Sequence, residues 1–122
     1  MTLQTAAAVL AFGALAALTP ASSMAQNYPV RPITLIVPFS PGGTTDIIGR
    51  LIASELEEEF GQPVTVDNRP GAGAAVGSAE AANAKPDGYT LLLSNSASQG
   101  VSPAVYSKLP YDPVTSFEHV AL

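Results

Sequence analysis

Residues 33–60 constrain the fold of this chain more than any other stretch. Residues 33–37, with the sequence ITLIV, are mainly apolar and β-branched, which is typical of a strand buried within a parallel sheet. A loop of small residues follows at 39–45, and a helix is predicted after it, over residues 46–60, because its apolar side chains recur at three- and four-residue spacing. The apolar face predicted for this helix consists of Ile47, Ile48, Leu51, Ile52, Leu56 and Phe60.

The residues at both ends of this helix agree with the predicted boundaries. Thr44 or Thr45 is expected to cap the N-terminus, and Asp46 places a negative charge in the first turn, where the helix dipole favours it. Gly61 is expected to adopt the left-handed conformation after the last turn, and Pro63 prevents the helix from continuing. The N-terminus of a well-defined helix therefore adjoins the glycine loop.

Strand, loop and helix then recur along the chain. The further predicted elements are a strand at 64–66, a loop at 68–77, an alanine-rich helix at 78–84, a strand at 89–93, a polar loop at 94–98 and a short helix at 103–109. Such alternation indicates an α/β fold in which parallel strands are joined by right-handed crossovers. Because parallel strands point the same way, the loops that follow them gather at one edge of the sheet, where ligands of open α/β sheets bind.

The first 25 residues contain no charged side chain and are dominated by Ala and Leu. Residues 6–18 have the length and character of a signal-peptide core, and cleavage is expected before Gln26; an N-terminal anchor is the alternative. The net charge of −5 belongs to the remaining residues and argues against binding to nucleic acid. The chain has no Cys, which excludes disulfides, thiol catalysis and lipidation at Cys. We expect residues 1–25 to be a signal peptide and the protein to be exported.

The last six residues, 117–122, resemble the start of another strand, and no turn or capping signal closes them. We therefore expect residues 26–122 to be the N-terminal part of a longer protein, with a second domain absent from this chain.

The sequence offers few groups for catalysis. His119 is the only histidine. The serines considered as nucleophiles have no evident His and acid partners, and they are Ser40, Ser94, Ser96 and Ser98. The glycines at 71–77 resemble a dinucleotide fingerprint, but the last spacing is one residue too long and the pattern follows the second strand rather than the first. No metal-ligand spacing is present, and no cofactor is expected.

The loops at the predicted edge of the sheet consist mainly of Gly, Ala, Ser, Thr and Asn, so most hydrogen-bond donors there are backbone N–H groups. Gly42 and Gly43 leave the amides before the long helix uncovered, so a small anion could approach them. A glycine turn needed only for the passage from strand to helix is an equally good interpretation. Asp46 either interacts with the helix N-terminus or contacts a ligand amine or water. Arg69 either steers an anion or forms an ion pair with a neighbouring acid.

Five motifs make the chain recognisable. They are YPVRPI (28–33), IVPFSPGGTTD (36–46), NRPGAG (68–73), PDGYTLL (86–92) and LPYDP (109–113). In this order they closely resemble the substrate-binding proteins of tripartite tricarboxylate transporters, the Bug-type periplasmic receptors. The resemblance covers essentially all of the chain after the predicted signal peptide.

The resemblance implies a periplasmic binding protein of the type II fold, of which this chain would be a partial first domain with a parallel sheet flanked by helices. Such receptors close like a clamshell on a small carboxylate. Membrane permease subunits are the implied partners, the implied location is the periplasm, and a monomer is implied for the full-length protein. The implied function is binding rather than catalysis.

In this family the first two strand-to-helix loops typically hold one ligand carboxylate through backbone amides and ordered waters. Here Ser94, Ser96 and Ser98 of the third loop could add hydroxyls or bind bridging water. The ligand-binding residues expected on this chain are Phe39, Pro41, Gly42, Gly43, Thr44, Thr45, Asp46, Gly73, Ala74, Ala75, Ser94 and Ser96.

One departure from the family pattern concerns the second loop, which commonly continues Gly-Gly-Asn-Ile-Gly, whereas residues 74–77 here are Ala-Ala-Val-Gly. Losing the Asn side chain removes one potential hydrogen bond to a ligand. Two other hypotheses remain open at this point. One is an exported α/β enzyme, such as a hydrolase, whose His and acid lie outside this chain, and the other is a truncated receptor without function.

Overall fold

The computed structural model describes residues 28–121. The predicted signal peptide, residues 1–25, lies outside the described residues, as does Leu122. The elements, in chain order, are β1 (Ile33–Val37), α1 (Thr44–Phe60), β2 (Val64–Asn68), a 3₁₀ turn (Ala72–Ala74), α2 (Ala75–Ala82), β3 (Thr90–Leu92), a π-helical turn (Ala97–Val101) and α3 (Ser102–Val105). Within this part of the chain, none of the helices has the length and apolar character needed to cross a bilayer.

The three strands form one parallel sheet in the order β2-β1-β3. Leu35 of β1 pairs with Val66 of β2 and with Leu91 of β3, so the first strand of the sequence is the central strand. The predicted α/β architecture with parallel strands is therefore confirmed, and all three strands end at the same edge.

The core lies between this sheet and α1. Ile33, Leu35 and Val37 alternate along β1 and are almost completely buried, together with Ala53 of α1 and Val64 of β2. Burial of a large aliphatic side chain contributes about 1.5–3 kcal/mol. The central strand thereby fixes the positions of the loops at its end.

The C-terminal end of α1 agrees with the prediction, whereas its first residue, Thr44, lies two positions before the predicted start. Gly61 has a φ of 64° and its amide donates to the Glu57 carbonyl at 2.9 Å, which ends the helix as expected. The predicted cap by Thr44 or Thr45 is wrong, because Gly43 is the N-cap residue and no side chain caps the helix there. The Asp46 carboxylate instead reaches back and accepts a hydrogen bond from the Gly42 amide at 2.8 Å.

The predicted apolar face of α1 is also wrong for most of its residues, although Leu56 does pack against the core. Ile47 is 55% exposed and Leu51 is 63% exposed, whereas Asp46, Gly49 and Ala53 are buried. A Cβ atom on Gly49 would lie only 2.9 Å from Cγ2 of Val37. The helix axis is thus close to the sheet, and small side chains rather than the isoleucines face the strand.

The second strand-to-helix unit differs from the prediction at its ends. Strand β2 continues two residues past the predicted 64–66, because Asp67 and Asn68 pair with the last two residues of β1. Helix α2 spans Ala75–Ala82 rather than 78–84, since the 3₁₀ turn leads directly into it. Strand β3 is shorter than the predicted 89–93.

The chain after β3 is more helical than predicted. The expected loop at 94–98 enters the π-helical turn at Ala97, and α3 ends at Val105 rather than at residue 109. The buried Tyr111 hydroxyl donates to the Ser98 carbonyl at 2.7 Å and ties the following segment to this turn. Residues 117–121 form no strand, contrary to the expectation from the sequence.

Candidate functional site

Three loops follow the parallel strands at one edge of the sheet. The first loop is residues 38–43, the second loop is residues 69–74 and the third loop is residues 93–96. Backbone hydrogen bonds connect them to the sheet edge, from the Arg69 amide to the Val37 carbonyl and from the Leu93 amide to the Ile36 carbonyl, each at 2.9 Å. The expected gathering of the loops at this edge is therefore present in the structure.

The first loop leads into the N-terminus of the 17-residue helix α1. The first hydrogen bond of the helix is donated by the Ile47 amide to the Gly43 carbonyl at 3.0 Å. The amides of Thr44 and Thr45 therefore have no acceptor within the helix. Gly42 has a φ of 82°, which only glycine adopts readily. Residues Pro41 to Thr44 are all exposed. The expectation that the Gly42 amide is uncovered is wrong, because it donates to the Asp46 carboxylate, so the backbone donors at this surface begin at Gly43.

Asp46 is buried at the base of the first loop, with 3% of its surface exposed. Its Oδ2 atom accepts from the Gly42 amide at 2.8 Å and from Nε of Arg50 at 3.1 Å, and its Oδ1 atom accepts from Nδ2 of Asn68 at 2.9 Å. Both carboxylate oxygens are thus bonded within the protein. These contacts match the interpretation of Asp46 as a residue that interacts with the helix N-terminus.

The same contacts determine the ionisation of Asp46. The Gly42 amide, with the Arg50 guanidinium and the Asn68 amide, lowers the pKa of the carboxyl group from 3.8 to about 2. Each of these donors stabilises the ionised form more than the protonated form. Asp46 is therefore a carboxylate throughout the neutral and mildly acidic range.

The second loop has an unusual backbone. Gly71, Ala72, Gly73 and Ala74 all have positive φ values, and for the two alanines, at 46° and 77°, this region costs about 1–2 kcal/mol per residue. Ala74 and Ala75 are 2% and 6% exposed, so their methyl groups pack inside the protein. Of the three predicted binding residues here, Gly73 is the one that lies at the surface.

Two residues that the sequence did not point to contact the second loop. The Ser102 hydroxyl of α3 donates to the Gly73 carbonyl at 2.6 Å. The ring of Tyr106 lies beside Gly73, where a Cβ atom would be 3.6 Å from the tyrosine hydroxyl. Both residues follow the predicted third loop, and no local pattern indicates that they fold back onto residue 73.

Asn68 and Arg50 were also missed. Asn68 is the last residue of β2, and its Nδ2 atom donates to the Phe39 carbonyl at 3.1 Å as well as to Asp46. Arg50 donates from Nη2 to the Asn68 side-chain oxygen at 3.3 Å. Asp46 and Arg50 are oppositely charged and lie four residues apart on a predicted helix, which is the spacing that favours an ion pair. No local pattern connects either residue to Asn68.

The third loop contributes Ser94 and Ser96, which are both exposed at the same edge. Ser98 differs from them because it is fully buried, and its hydroxyl exchanges hydrogen bonds with the backbone of Asn95 at 3.1 and 3.0 Å. The structure thus leaves Ser94 and Ser96 facing solvent. The expectation that the Ser98 hydroxyl could reach a ligand is wrong, because this buried group is used to shape the loop.

The arginines of the chain are all engaged in ion pairs. Arg31 pairs with Asp87 at 2.9 Å, Arg50 pairs with Asp46 at 3.1 Å, and Arg69 pairs with Asp67 at 2.9 Å and with Glu80 at 3.5 Å. The ion-pair interpretation of Arg69 is the one that the structure supports. Donors for an anion at this edge are therefore mainly backbone amides.

Two open grooves of about 520 Å³ each lie away from the predicted residues. One is lined by Thr34, Ile36, Asp67 and Thr90 on the face of the sheet near α2, and the other by residues between Pro103 and Pro113. In residues 28–121, no group of three or more His, Asp or Glu side chains is arranged to hold a metal ion. The candidate site is consequently an exposed surface made by loops rather than an enclosed cavity.

Comparison with known proteins identifies close relatives. Residues 48–122 match the model of the tripartite tricarboxylate transporter family receptor. Protein BugT of Bordetella pertussis (strain Tohama I) is 48% identical over 88 residues, which cover 71% of this chain and 27% of BugT.

Solved structures agree with this match. Periplasmic binding protein BugD is 41% identical, with a TM-score of 0.71 over 75% of this chain and 30% of BugD. MatC from Rhodopseudomonas palustris, with bound malate, is 40% identical, with a TM-score of 0.71 over 74% of this chain and 31% of MatC. Rpa4515 of R. palustris, with adipate, is 40% identical, with a TM-score of 0.70 over 72% of this chain and 29% of that protein.

The chain spans less than a third of the length of each of these proteins. The expected partial fold of a periplasmic binding protein is confirmed by the structural matches. The five-motif resemblance is likewise confirmed, because the family model covers more than half of the chain. The chain belongs to the tripartite tricarboxylate transporter receptor family.

Proposed function

We propose that this chain provides the carboxylate-anchoring surface of a periplasmic solute receptor. The observation that carries the proposal is the exposed N-terminus of α1, which no side chain caps and whose first amides have no helical acceptor. A helix N-terminus is equivalent to about half a positive charge and directs its N–H groups outward. A ligand carboxylate would accept hydrogen bonds from the amides of Gly43, Thr44 and Thr45.

The second and third loops complete the proposed surface. Gly73 would approach the ligand through its backbone, and Ser94 and Ser96 would contribute hydroxyls directly or through water. The positive φ values from Gly71 to Ala74 support a functional role for the second loop, since strained backbone tends to be retained where it shapes a binding surface.

The proposed ligand class is small dicarboxylates. MatC is described with malate and Rpa4515 with adipate, and these two compounds differ in length and in hydroxylation but share terminal carboxylates. Backbone donors at one edge recognise a carboxylate without specifying the rest of the molecule. We assign anchoring to this surface and propose that the far end of the ligand is contacted elsewhere in the receptor.

The proposal includes export and transfer of the ligand to membrane permease subunits, without catalysis. The family description and the periplasmic relatives support this placement. The prediction that residues 1–25 direct export is part of the proposal. Fractionation of cells that produce the chain should find a periplasmic species that begins at Gln26.

The test of carboxylate binding is calorimetry with malate, adipate and citrate. It should be applied to the 122-residue chain and to any longer protein that its gene encodes. We expect heat of binding for at least one dicarboxylate and none for the matching diamide. Absence of binding to every carboxylate by folded samples would contradict the proposed function.

Gly43→Val is the informative variant. Gly43 has φ −81° and ψ 169°, which a β-branched residue adopts without strain, and its Cβ would meet only the Ser40 carbonyl, at 3.5 Å. The new side chain should therefore leave the fold intact while covering the amides. Hydrogen bonds to charged groups contribute about 1.5–3 kcal/mol each, so affinity should fall by about 10- to 100-fold.

The matched control is Gly100→Val, because a Cβ on Gly100 has no neighbour within 4 Å and Gly100 is not among the proposed binding residues. This variant should bind as the unmodified chain does. Equal affinity of both valine variants would exclude the α1 N-terminus as the anchor.

A further inference from the structure

Asn68 connects two elements that the chain separates widely. Its Nδ2 atom donates to the Phe39 carbonyl at 3.1 Å, 29 residues earlier, and to Oδ1 of Asp46 at 2.9 Å, 22 residues earlier. Its Oδ1 atom accepts from Nη2 of Arg50 at 3.3 Å. Both amide hydrogens and one lone pair of this side chain are therefore used within the protein.

These contacts fix the first loop at several points. Phe39 lies just before the loop glycines and Asp46 lies in the first turn of α1, so Asn68 bonds to both sides of residues 40–45. Asp46 in turn accepts from the Gly42 amide at the centre of the loop. We infer that Asn68 is a positioning residue that holds the first loop in the conformation that presents its amides to a carboxylate. The inference rests on the function proposed above.

The chemistry of the side chain explains why an amide suits this position. Asn68 faces two acceptors, a carbonyl and a carboxylate, and its amide supplies two N–H bonds to them while its oxygen accepts from Arg50, which a cationic side chain could not do. A carboxylate in its place would face both acceptors without a proton to donate. The charged groups that face position 68 are Asp46, which would repel it, and Arg50, which would attract it, both from α1.

Asn68→Asp therefore tests the inference with almost no change in shape. At pH 8 the new carboxylate lies against Asp46, the loop loses both hydrogen bonds from residue 68, and affinity for malate should fall at least about tenfold. At pH 5 a proton shared between the two carboxyl groups restores a donor, so the variant should recover part of the loss relative to the unmodified protein at the same pH. A purely structural defect would not be reversed by acidification.

Asn83→Asp is the matched control. Asn83 is exposed and its side chain donates only to the Ala79 carbonyl within α2, at 2.8 Å. This variant makes the same change in net charge and should bind malate as the unmodified protein does at both pH values. If Asn68→Asp also binds normally at pH 8, the positioning role is refuted.

A second measurement does not require a ligand. Exchange of the Gly42 amide hydrogen, followed by NMR, reports whether Asp46 still accepts from it. We expect exchange at least about tenfold faster in Asn68→Asp than in Asn83→Asp at pH 8. Failure of the unmodified protein to bind any carboxylate would overturn the proposed function, and equal exchange of Gly42 in the two variants would overturn the positioning role by itself.

Discussion

Gly77→Ala should destabilise the protein although it places a better helix former inside α2. Gly77 is buried where α2 crosses the first and second loops. An added Cβ would lie 2.8 Å from the Arg69 carbonyl oxygen, 2.8 Å from Cβ of Pro38 and 2.9 Å from Cα of Pro38. Two of these three atoms belong to the backbone and the third to a rigid ring, so no flexible side chain can yield.

The magnitude follows from two opposing effects. Relaxed carbon contacts need about 3.5–4.0 Å, so α2 must withdraw by roughly 0.7 Å or the loops must shift. Overpacking of this kind costs about 1–3 kcal/mol, and we expect a cost in the upper half of this range because the obstructing atoms are rigid. The gain in helix propensity is about 1 kcal/mol. The net loss of unfolding free energy should be about 1–2 kcal/mol.

Urea unfolding followed by circular dichroism measures this loss. With a slope near 1 kcal/mol per molar urea for a chain of this size, the midpoint should fall by about 1–2 M. Gly100→Ala is the control, because a Cβ there contacts nothing within 4 Å. Because α2 begins directly after the second loop, a shift of α2 in Gly77→Ala should also displace that loop. The affinity of this variant for carboxylates should therefore fall together with its stability. A Gly77→Ala protein as stable as Gly100→Ala would refute the close packing of α2 on Pro38.

Two further predictions concern other contacts. Tyr111→Phe removes the buried hydrogen bond of 2.7 Å to the Ser98 carbonyl. This variant should lower the unfolding free energy by about 1–2 kcal/mol in the same urea assay. Tyr106 is 41% exposed, so Tyr106→Phe should change the unfolding free energy little. Because the pKa of Asp46 is lowered from 3.8 to about 2, its ionised form stabilises the fold fully above pH 3.8 and this contribution disappears as the pH falls through 2. The urea midpoints of the unmodified protein and of Asp46→Asn should therefore differ at pH 6 and converge near pH 2, and a difference that stays constant would contradict the contacts of Asp46.

The exposed apolar residues of α1 show that hydrophobic periodicity predicted the wrong buried face for this helix. Periodicity identifies which residues are apolar and share a face, but it does not measure how closely a helix approaches a sheet. Here Gly49 and Ala53 allow a close approach to β1, and they occupy the interface in place of Ile47 and Leu51. The volume of the side chains, which periodicity ignores, determined which face of α1 is buried against the sheet.

The sequence by itself determined the order of strands, loops and helices, the end of α1 at Phe60 and the edge at which the loops meet. These features depend on local signals, such as β-branched runs, helical spacing and Gly61, that act within a few residues. The binding roles of the loop residues remain predictions.

Only the tertiary structure decided how the loops are held. Asn68 contacts Phe39 and Asp46, and Ser102 contacts Gly73, across 22 to 29 residues of chain. The last pairs of β2 exist because β1 lies beside them, and the left-handed backbone of Ala72 and Ala74 is maintained against its local cost by the packing around it. Each of these features depends on a partner that is distant in sequence, so no local pattern could reveal it.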